Sequence, residues 1–599
     1  MGARSQARQD GVAADLLTGA ATAPPGAGVA SRALAGARPA AAVLAGIIVV
    51  TVALHVVWLV RFRHGYVTEW DESGYLQFAL SNFDALHDEG LWGFAKIVGN
   101  RGTFGPLLPA VTALSYPIVG RGVFSSLLIL PLFFAGLVCA SFALARQLVS
   151  EWWAVLAALA VATIPAVTDY TRLFHFALPA TACMTAALWA LLRSDGLQRR
   201  RWVVAAGLFA ALTLLSRTMT VAYIPAFALA AGALLLVDAP DLRARARNLA
   251  IGIGVVALIA GPWYLRNARS VYDNLVGVGY GEGATVYGRH HSIASWAYWT
   301  KVLQLDLSYL ALPLAAVLLV VFCLALVSLV VRNRFSLRLT RPRTMRAGAI
   351  LALTLVVLEG YLVLTSSRNE GTAFSLPWLP ALVILAVTAL ASIPTRSLRL
   401  CLAGALVAVS IGAAVSKSGW FEPLAKVRTV SVPSLGSVVV TDGRGVTQRE
   451  LVGAGYDIPI TQPPPAMHRR WLPLAREVDV WSLRWAKQHG QPLHLTLGFN
   501  DLIFGNSRLT LAAQLWLHRW LPVDYLHSFT AGDTVASYRR QLVDPLPVNA
   551  LITADPGPRE TITRTKVVAA ARSLGFVPVK SFTMPDRRTI RIWWRGRQT

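Results

Sequence analysis

Apolar runs of about 20 residues recur along most of this chain, and each is long enough to cross a bilayer as a helix. They lie near 41–60, 124–145, 152–168, 177–193, 202–216, 218–237, 248–265, 308–331, 347–366, 374–393 and 399–416, which gives about 11 spans by this length criterion. The chain has 599 residues, of which 55% are hydrophobic and 15% charged. Its mean hydropathy is +0.52. Soluble domains carry about 25% charged residues, so an ordinary soluble globule is excluded. The expected architecture is a polytopic α-helical membrane protein with a soluble portion at its C-terminal end.

The formal net charge is +25, but its placement argues against a nucleic-acid partner. Arginines gather in every second loop: Arg193 with Arg199, Arg200 and Arg201; Arg243, Arg245 and Arg247; six between Arg332 and Arg346; and Arg396 with Arg399. Cytoplasmic loops carry such an excess. The N-terminus is therefore expected inside, and the loops holding Asp71, Tyr170 and Arg368 outside, with the segment 263–301. The protein is expected in the plasma (cytoplasmic) membrane, its C-terminal part extracytoplasmic.

The domain reading follows. Residues 1–40, rich in Ala, Gly, Arg and Pro, read as a disordered cytoplasmic tail. Residues 41–417 form the membrane domain, with a long first outside loop over 62–123 whose amphipathic stretches predict short helices on the membrane surface. Phe104 to Val119 is apolar but short and holds three prolines, so it reads as interfacial or re-entrant. Residues 418–599 alternate strand-like runs, such as 437–441 and 493–497, with helical ones, 481–489 and 563–573, which predicts a small α/β domain. The four cysteines all sit in apolar runs, suggesting neither a disulfide framework nor a zinc site.

Charge at the outer ends of the spans is where chemistry is legible. Val67 to Tyr75 carries Glu69, Asp71 and Glu72 just after the first span. They form either a solvated loop or a base or metal ligand held at the membrane surface. At the start of a helix, a carboxylate is favoured in its ionised form. The second outside loop brings Asp169, Arg172 and His175 to the same face; Asp169 and Arg172 are three apart and suit either a helical pair or a shared polar site. Arg217, Arg266 and Arg368 recur outside, against the positive-inside trend. Planar guanidinium donors suit a phosphate at headgroup level. Glu359 sits inside an apolar run, where a carboxylate needs a partner or a cavity. Asn500, Asp501 and Asn506 fall on a loop after a predicted strand.

The order of these pieces resembles a family: the GT-C class of polyprenyl-phosphate-dependent glycosyltransferases, with the protein O-mannosyltransferases and lipid A aminoarabinose transferases of glycosyltransferase family 39. The resemblance covers roughly 40–393. Asp71-Glu72 with Tyr75 matches the acidic motif after the first span, and Tyr170-Thr-Arg172 the aromatic–Arg motif of the second outside loop. Arg217 matches the basic residue after a Leu-Ser pair, and Pro262-Trp-Tyr-Leu-Arg-Asn267 the motif ending the seventh span. Arg368, followed by Phe374, Pro377 and Pro380, matches the late outside loop. One position departs: the family has an Asp two residues before the proline matching Pro179, and this chain has Ala177.

The resemblance implies a GT-C-like fold and glycosyl transfer, with inversion, from a sugar linked by phosphate to a polyprenol in the lipid bilayer. The acceptor would be a glycan, lipid or protein hydroxyl outside the membrane. Asp71 would be the general base and Glu72 would orient the acceptor or the base. Arg217, Arg266 and Arg368 would hold the lipid phosphate. Tyr75, Asp169, Arg172, His175 and Glu359 would line the substrate site. A phosphate leaving group already carries charge, so no metal or other cofactor is expected. Two other classes fit the same features: a lipid-linked sugar transporter and a non-catalytic assembly protein.

Overall fold

In the computed structural model the described residues are 26–599, without 64–69, 101, 238–239, 280–305, 308–309, 311–312, 321–343, 367–373, 419–420, 422–427, 433–435, 442–468, 500, 502–503, 527–531, 545–547, 555–560 and 597–599. The chain divides into a small unit, Met1–Ile47, and a large one, Ile48–Thr599. The helical backbone already begins at Gly26, inside the segment expected to be an unstructured tail.

Helix α1 (Gly26–Phe62) leads to the segment expected as the first outside loop, which folds as α2 (Trp70–Gly99), α3 (Leu107–Val119) and the short α4 (Val123–Leu127). Next come α5 (Leu130–Ala145), α6 (Glu151–Ala162), the short α7 (Pro165–Tyr170), α8 (Ala177–Arg193) and α9 (Arg200–Ser216). A 3-10 turn over Thr218–Tyr223 opens α10 (Ile224–Leu235), followed by α11 (Leu242–Arg266) and α12 (Ala268–Gly279). After α13 (Met345–Ser366) come α14 (Leu379–Ala391) and α15 (Arg396–Ser418).

Among the described residues, six helical segments are long and apolar enough to cross a membrane: Pro39–Phe62, Val123–Ala145, Thr218–Leu235, Leu242–Arg266, Met345–Leu364 and Arg396–Ser418. Each coincides with a span read from the sequence. The expected segments near 152–168, 177–193 and 374–393 are shorter apolar helices. Proline sets two of the limits. Pro165 follows the end of α6, and α14 begins only at Leu379 because Pro377 and Pro380 disfavour helix before it. Most of the expected span 308–331 lies outside the described residues. Helix α3 has 13 residues, about 20 Å of helix against a hydrocarbon core of roughly 30 Å.

Within the bundle α8 packs on α5 and α9, α9 on α11, and α10 on α13. One arginine of the basic loops is not turned to water. Arg245 is buried and donates through Nε to the Gly196 carbonyl (2.6 Å) and through its other nitrogens to the carbonyls of Val237 and Leu234. It staples two connections, satisfying carbonyls left open at helix ends.

Beyond α15, β1 (Arg428–Val432) and β2 (Gly436–Thr441) form an antiparallel ribbon. The last part runs α16 (Trp471–Gln488), β3 (Leu495–Leu497), α17 (Asn506–Leu517), β4 (Val523–Tyr525), α18 (Val535–Gln541), β5 (Ala550–Ala554), α19 (Thr561–Ser573), β6 (Val577–Thr583) and β7 (Thr589–Trp594). The sheet order is β4-β3-β5-β7-β6, with β3 parallel to β4 and β5 and the rest antiparallel. Each parallel pair is joined by a helical crossover, as such pairing requires. Leu551, Val567, Phe576 and Trp593 fill the core between sheet and helices. Helix α16 starts ten residues before the expected 481, because Pro473 lies in its first turn, where proline is tolerated.

This sheet-bearing part packs on the first outside loop. Helix α17 lies against α2, with Gln77 Nε2 donating to the Ser507 carbonyl (2.5 Å) and Gln514 Nε2 to Ser81 Oγ (2.8 Å).

Candidate functional site

Helix α2 places Asp71 and Glu72 in its first turn, and neighbours in sequence on a helix point in different directions. The two carboxylates therefore meet different surroundings. Glu72 is fully buried and pairs with the buried Arg63 at 2.5 Å. The same Glu72 Oε1 accepts the Phe174 backbone N–H (2.9 Å), while Arg63 donates to the Arg172 carbonyl (2.8 Å). Glu72 thereby clamps the start of α2 to the second outside loop.

Asp71 keeps an exposed surface inside a protein-walled recess. Burial pushes its carboxyl above the ordinary aspartate value, and the nearby Arg217 guanidinium pulls it back down. Arg217 follows the last residue of α9 in extended conformation, which turns its side chain out of the helix line. Its guanidinium carbon lies 4.1 Å from the centroid of Phe176 and 3.9 Å from that of Phe374, between the two rings. Such cation–π contacts hold a cation while leaving its N–H donors open. Arg217 Nε is buried without a hydrogen-bond partner among the described residues. Burial lowers its pKa to about 10, opposed by Tyr75, Tyr170, Tyr223 and Asp71, so it stays protonated at neutral pH.

Gly105 sets the approach of the outside loop to this arginine. A Cβ there would stand 2.3 Å from the Ser216 carbonyl oxygen and 2.6 Å from the Arg217 backbone nitrogen. Thr218 Oγ1 completes the contact with a 2.6 Å bond to the Thr103 carbonyl.

Aromatic rings wall the recess. Tyr75, one turn after Asp71, packs edge-on against Phe176 (4.9 Å), Phe104 and His175 (both 5.7 Å). His175 also lies 4.9 Å from Tyr170. Its Nδ1 accepts the Ala177 N–H at 3.2 Å, which leaves Nε2 as the protonated nitrogen of a neutral ring. Burial and then Arg217 push its pKa well below the usual histidine value.

Asp169 and Arg172 are both buried beside the recess, each with its own partner. Asp169 pairs with Lys417 at 2.9 Å rather than with Arg172. Arg172 donates to the Lys417 carbonyl (2.5 Å) and to His55 Nδ1 (3.3 Å), and stacks over Trp58 at 4.6 Å. Burial lowers its pKa to about 9, opposed by Asp169. These bonds tie the second outside loop to the outer ends of α1 and α15.

Arg266 is exposed, with its Nε on Asn100 Oδ1. Its neighbour Asn267 carries the structural load of that motif. It accepts the Gly102 N–H (2.9 Å) and donates to the Gly99 carbonyl (2.9 Å). Glu359 is 7% exposed, and neither of its oxygens has a hydrogen-bond partner among the described residues. Tyr223 lies within electrostatic range of Arg217, Glu359 and Asp306, and its hydroxyl donates to the Phe374 carbonyl. Asp306 accepts a hydrogen bond from Ser375. Arg368 and Asn500 fall outside the described residues. Asp501 is buried, receives the Phe504 N–H (2.9 Å) and pairs with Arg588, while Asn506 opens α17.

Sequence reasoning did not single out Arg63, Tyr223, Asp306 or Lys417. A lysine at the expected outer end of a span runs against the positive-inside trend, and that signal was available for Lys417.

Comparisons with known proteins agree with the motif order. Residues 104–264 match the family model described as dolichyl-phosphate-mannose-protein mannosyltransferase. ArnT from Cupriavidus metallidurans, bound to undecaprenyl phosphate, superposes with a TM-score of 0.51 at 18% identity, covering 91% of this chain and 98% of that one. The oligosaccharyltransferase AglB from Archaeoglobus fulgidus, in complex with an inhibitory peptide and a dolichol-phosphate, gives 0.53 at 12% identity, covering 93% and 74%. No curated protein sequence matches the chain. The chain thus resembles the GT-C glycosyltransferases in the matched segment and shares the fold of these two solved structures.

Proposed function

We propose that this protein is a membrane glycosyltransferase that moves a sugar from a polyprenyl-phosphate donor to an acceptor hydroxyl at the outer face of the plasma membrane, with inversion. The observation that carries the reading is the nearness of a carboxylate with exposed surface, Asp71, to a guanidinium, Arg217, fixed between two rings with its Nε–H unbonded among the described residues. Both structural neighbours are solved with a polyprenyl phosphate, which supports a lipid phosphate as the ligand of such a cation.

In this reading the acceptor oxygen attacks the anomeric carbon as the bond from that carbon to the phosphate oxygen breaks. Asp71 takes the acceptor proton, and the polyprenyl phosphate departs with the electron pair of the broken bond. Arg217 stabilises the charge gathering on the phosphate, with donors that need no reorganisation. Glu72 acts through Arg63 and the Phe174 N–H, positioning α2 rather than touching the acceptor. Where the family has an Asp, Ala177 offers only its N–H, and His175 receives it. His175 then presents Nε2–H as a donor toward substrate. We place Tyr75 on the sugar and Arg368 with the phosphate. Arg266, exposed on the rim, has the smallest part. The full set of about 11 spans, with the sheet-bearing C-terminal part outside, belongs to this proposal.

The test is turnover. Purified protein in lipid is given a panel of radiolabelled polyprenyl-phosphate sugars with a membrane-extract acceptor. Label is expected to reach the acceptor with wild type, and transfer to vanish in Asp71→Asn while donor binding persists. Transfer that survives in Asp71→Asn removes Asp71 as the base. Donor binding without transfer from any sugar, in wild type, overturns the enzyme reading.

A further inference from the structure

At the opposite end of the bundle the inner ends of four helices border an open hollow of about 390 Å³. Its walls are residues 146–149 after α5, with Arg146 and Gln147 among them, Ser150 and Trp153 at the start of α6, Arg346 in the first turn of α13, and Ala391 at the end of α14. The lining is polar, although it stands at the ends of apolar helices. Arg146 spends one nitrogen on Glu151 (2.8 Å), and no other side-chain bond of its guanidinium occurs among the described residues. Arg346 is exposed, and its side chain has no hydrogen bond or ion pair among them. The Ser150 hydroxyl precedes α6 but makes no capping bond. Next to it Trp152 is 56% exposed, as suits an indole at the membrane–water boundary.

We infer that this cavity binds the phosphate of an anionic phospholipid in the leaflet opposite the Asp71 site. Two guanidinium groups from helices about 200 residues apart in sequence converge on one polar hollow, and planar forks of this kind suit phosphate oxygens. Gln147 and Ser150 supply neutral donors at the same rim. The depth fits a lipid better than a soluble anion, since the cavity opens where the spans end and an exposed tryptophan stands beside it. Such a lipid would tie the α5–α6 connection to the starts of α13 and the end of α14, helices that carry Glu359 and follow Phe374 at their outer ends.

Native mass spectrometry of the full-length protein tests this, using added phosphatidylglycerol against phosphatidylcholine. Wild type is expected to retain phosphatidylglycerol preferentially. The double variant Arg146→Gln with Arg346→Gln is expected to bind it about 25-fold more weakly, from roughly five-fold per arginine near a membrane surface, with phosphatidylcholine retention unchanged. Equal retention of the two lipids by wild type, or equal phosphatidylglycerol binding by the variant, overturns the site. Glycerol phosphate displacing phosphatidylglycerol from wild type at matched concentration assigns the cavity to a soluble anion and overturns the lipid. If the Gln pair does not fold, Arg146→Lys with Arg346→Lys keeps charge but loses the planar fork. A several-fold weakening specific to phosphatidylglycerol is then expected, and unchanged binding contradicts the proposal.

Discussion

Two groups of charges lie side by side at one end of the helical bundle, and they are built in opposite ways. In one, every charge is paired: Arg63 with Glu72, Asp169 with Lys417, Arg172 with backbone carbonyl, histidine and tryptophan. In the other, Asp71 keeps an exposed surface and, among the described residues, Arg217 packs between two ring faces with its Nε unbonded. A buried charge left without hydrogen bonds is costly unless something else compensates it. The paired group is a strut, and the open group has room for a charged ligand. Adjacent carboxylates in one motif, Asp71 and Glu72, thus serve different ends, and their separate surroundings decide which is which.

That contrast can be broken by mutation. The largest effect is expected at Asp71. Asp71→Asn should lower transfer by about 10²–10⁴-fold, the range for loss of a positioned base, while the melting temperature holds or rises, because burial already disfavours the carboxylate. Asp71 must be ionised to accept a proton, and its pKa is raised. The acid limb of kcat/KM should therefore lie above the ordinary aspartate range, with rate climbing as pH rises through it. Arg217→Gln removes the opposing charge and should move that limb further up.

The strut should respond in stability instead. Glu72→Gln leaves Arg63 buried and uncompensated, and is expected to cost about 3–5 kcal/mol in denaturant melts. The molecules that remain folded should keep an accessible Asp71, so the acid limb should stay near its wild-type position. A shifted limb without lost stability would erase the distinction between the two groups. Gly105→Ala is expected to cost roughly 1–3 kcal/mol by overpacking and to raise the donor KM, since the new methyl group meets the backbone of Ser216 and Arg217. Arg266→Gln should do least, within about 0.5 kcal/mol as for other exposed positions, with a KM change below that of Gly105→Ala.

Much of this was legible in the sequence, for identifiable reasons. Six spans were readable because apolar length is a strong signal, and Asp71 and Arg217 stood out as charges where hydrocarbon ends. The strut was not. Arg63 and Glu72 are nine residues apart at different helices' ends, and Lys417 lies 248 residues from Asp169, so no local spacing shows either pair. Asp169 and Arg172 fitted a helical i,i+3 pair, but tertiary partners took both. Asn267 was readable only as part of a motif. Its two bonds to the Gly99–Gly102 segment explain why an amide is useful there. The helices at Glu151–Ala162 and Leu379–Ala391 are shorter than the apolar runs that hold them, because prolines cut helical geometry without reducing hydropathy.

The most direct test of the open group is equilibrium binding of radiolabelled undecaprenyl phosphate to purified protein in neutral lipid, comparing wild type, Arg217→Gln and Glu72→Gln at one ionic strength. Loss of charge-assisted bonds to phosphate predicts binding about 10–100-fold weaker in Arg217→Gln, with folded Glu72→Gln close to wild type. Equal binding by wild type and Arg217→Gln would contradict the account, because Arg217, held between rings with an open donor, would then not receive the phosphate.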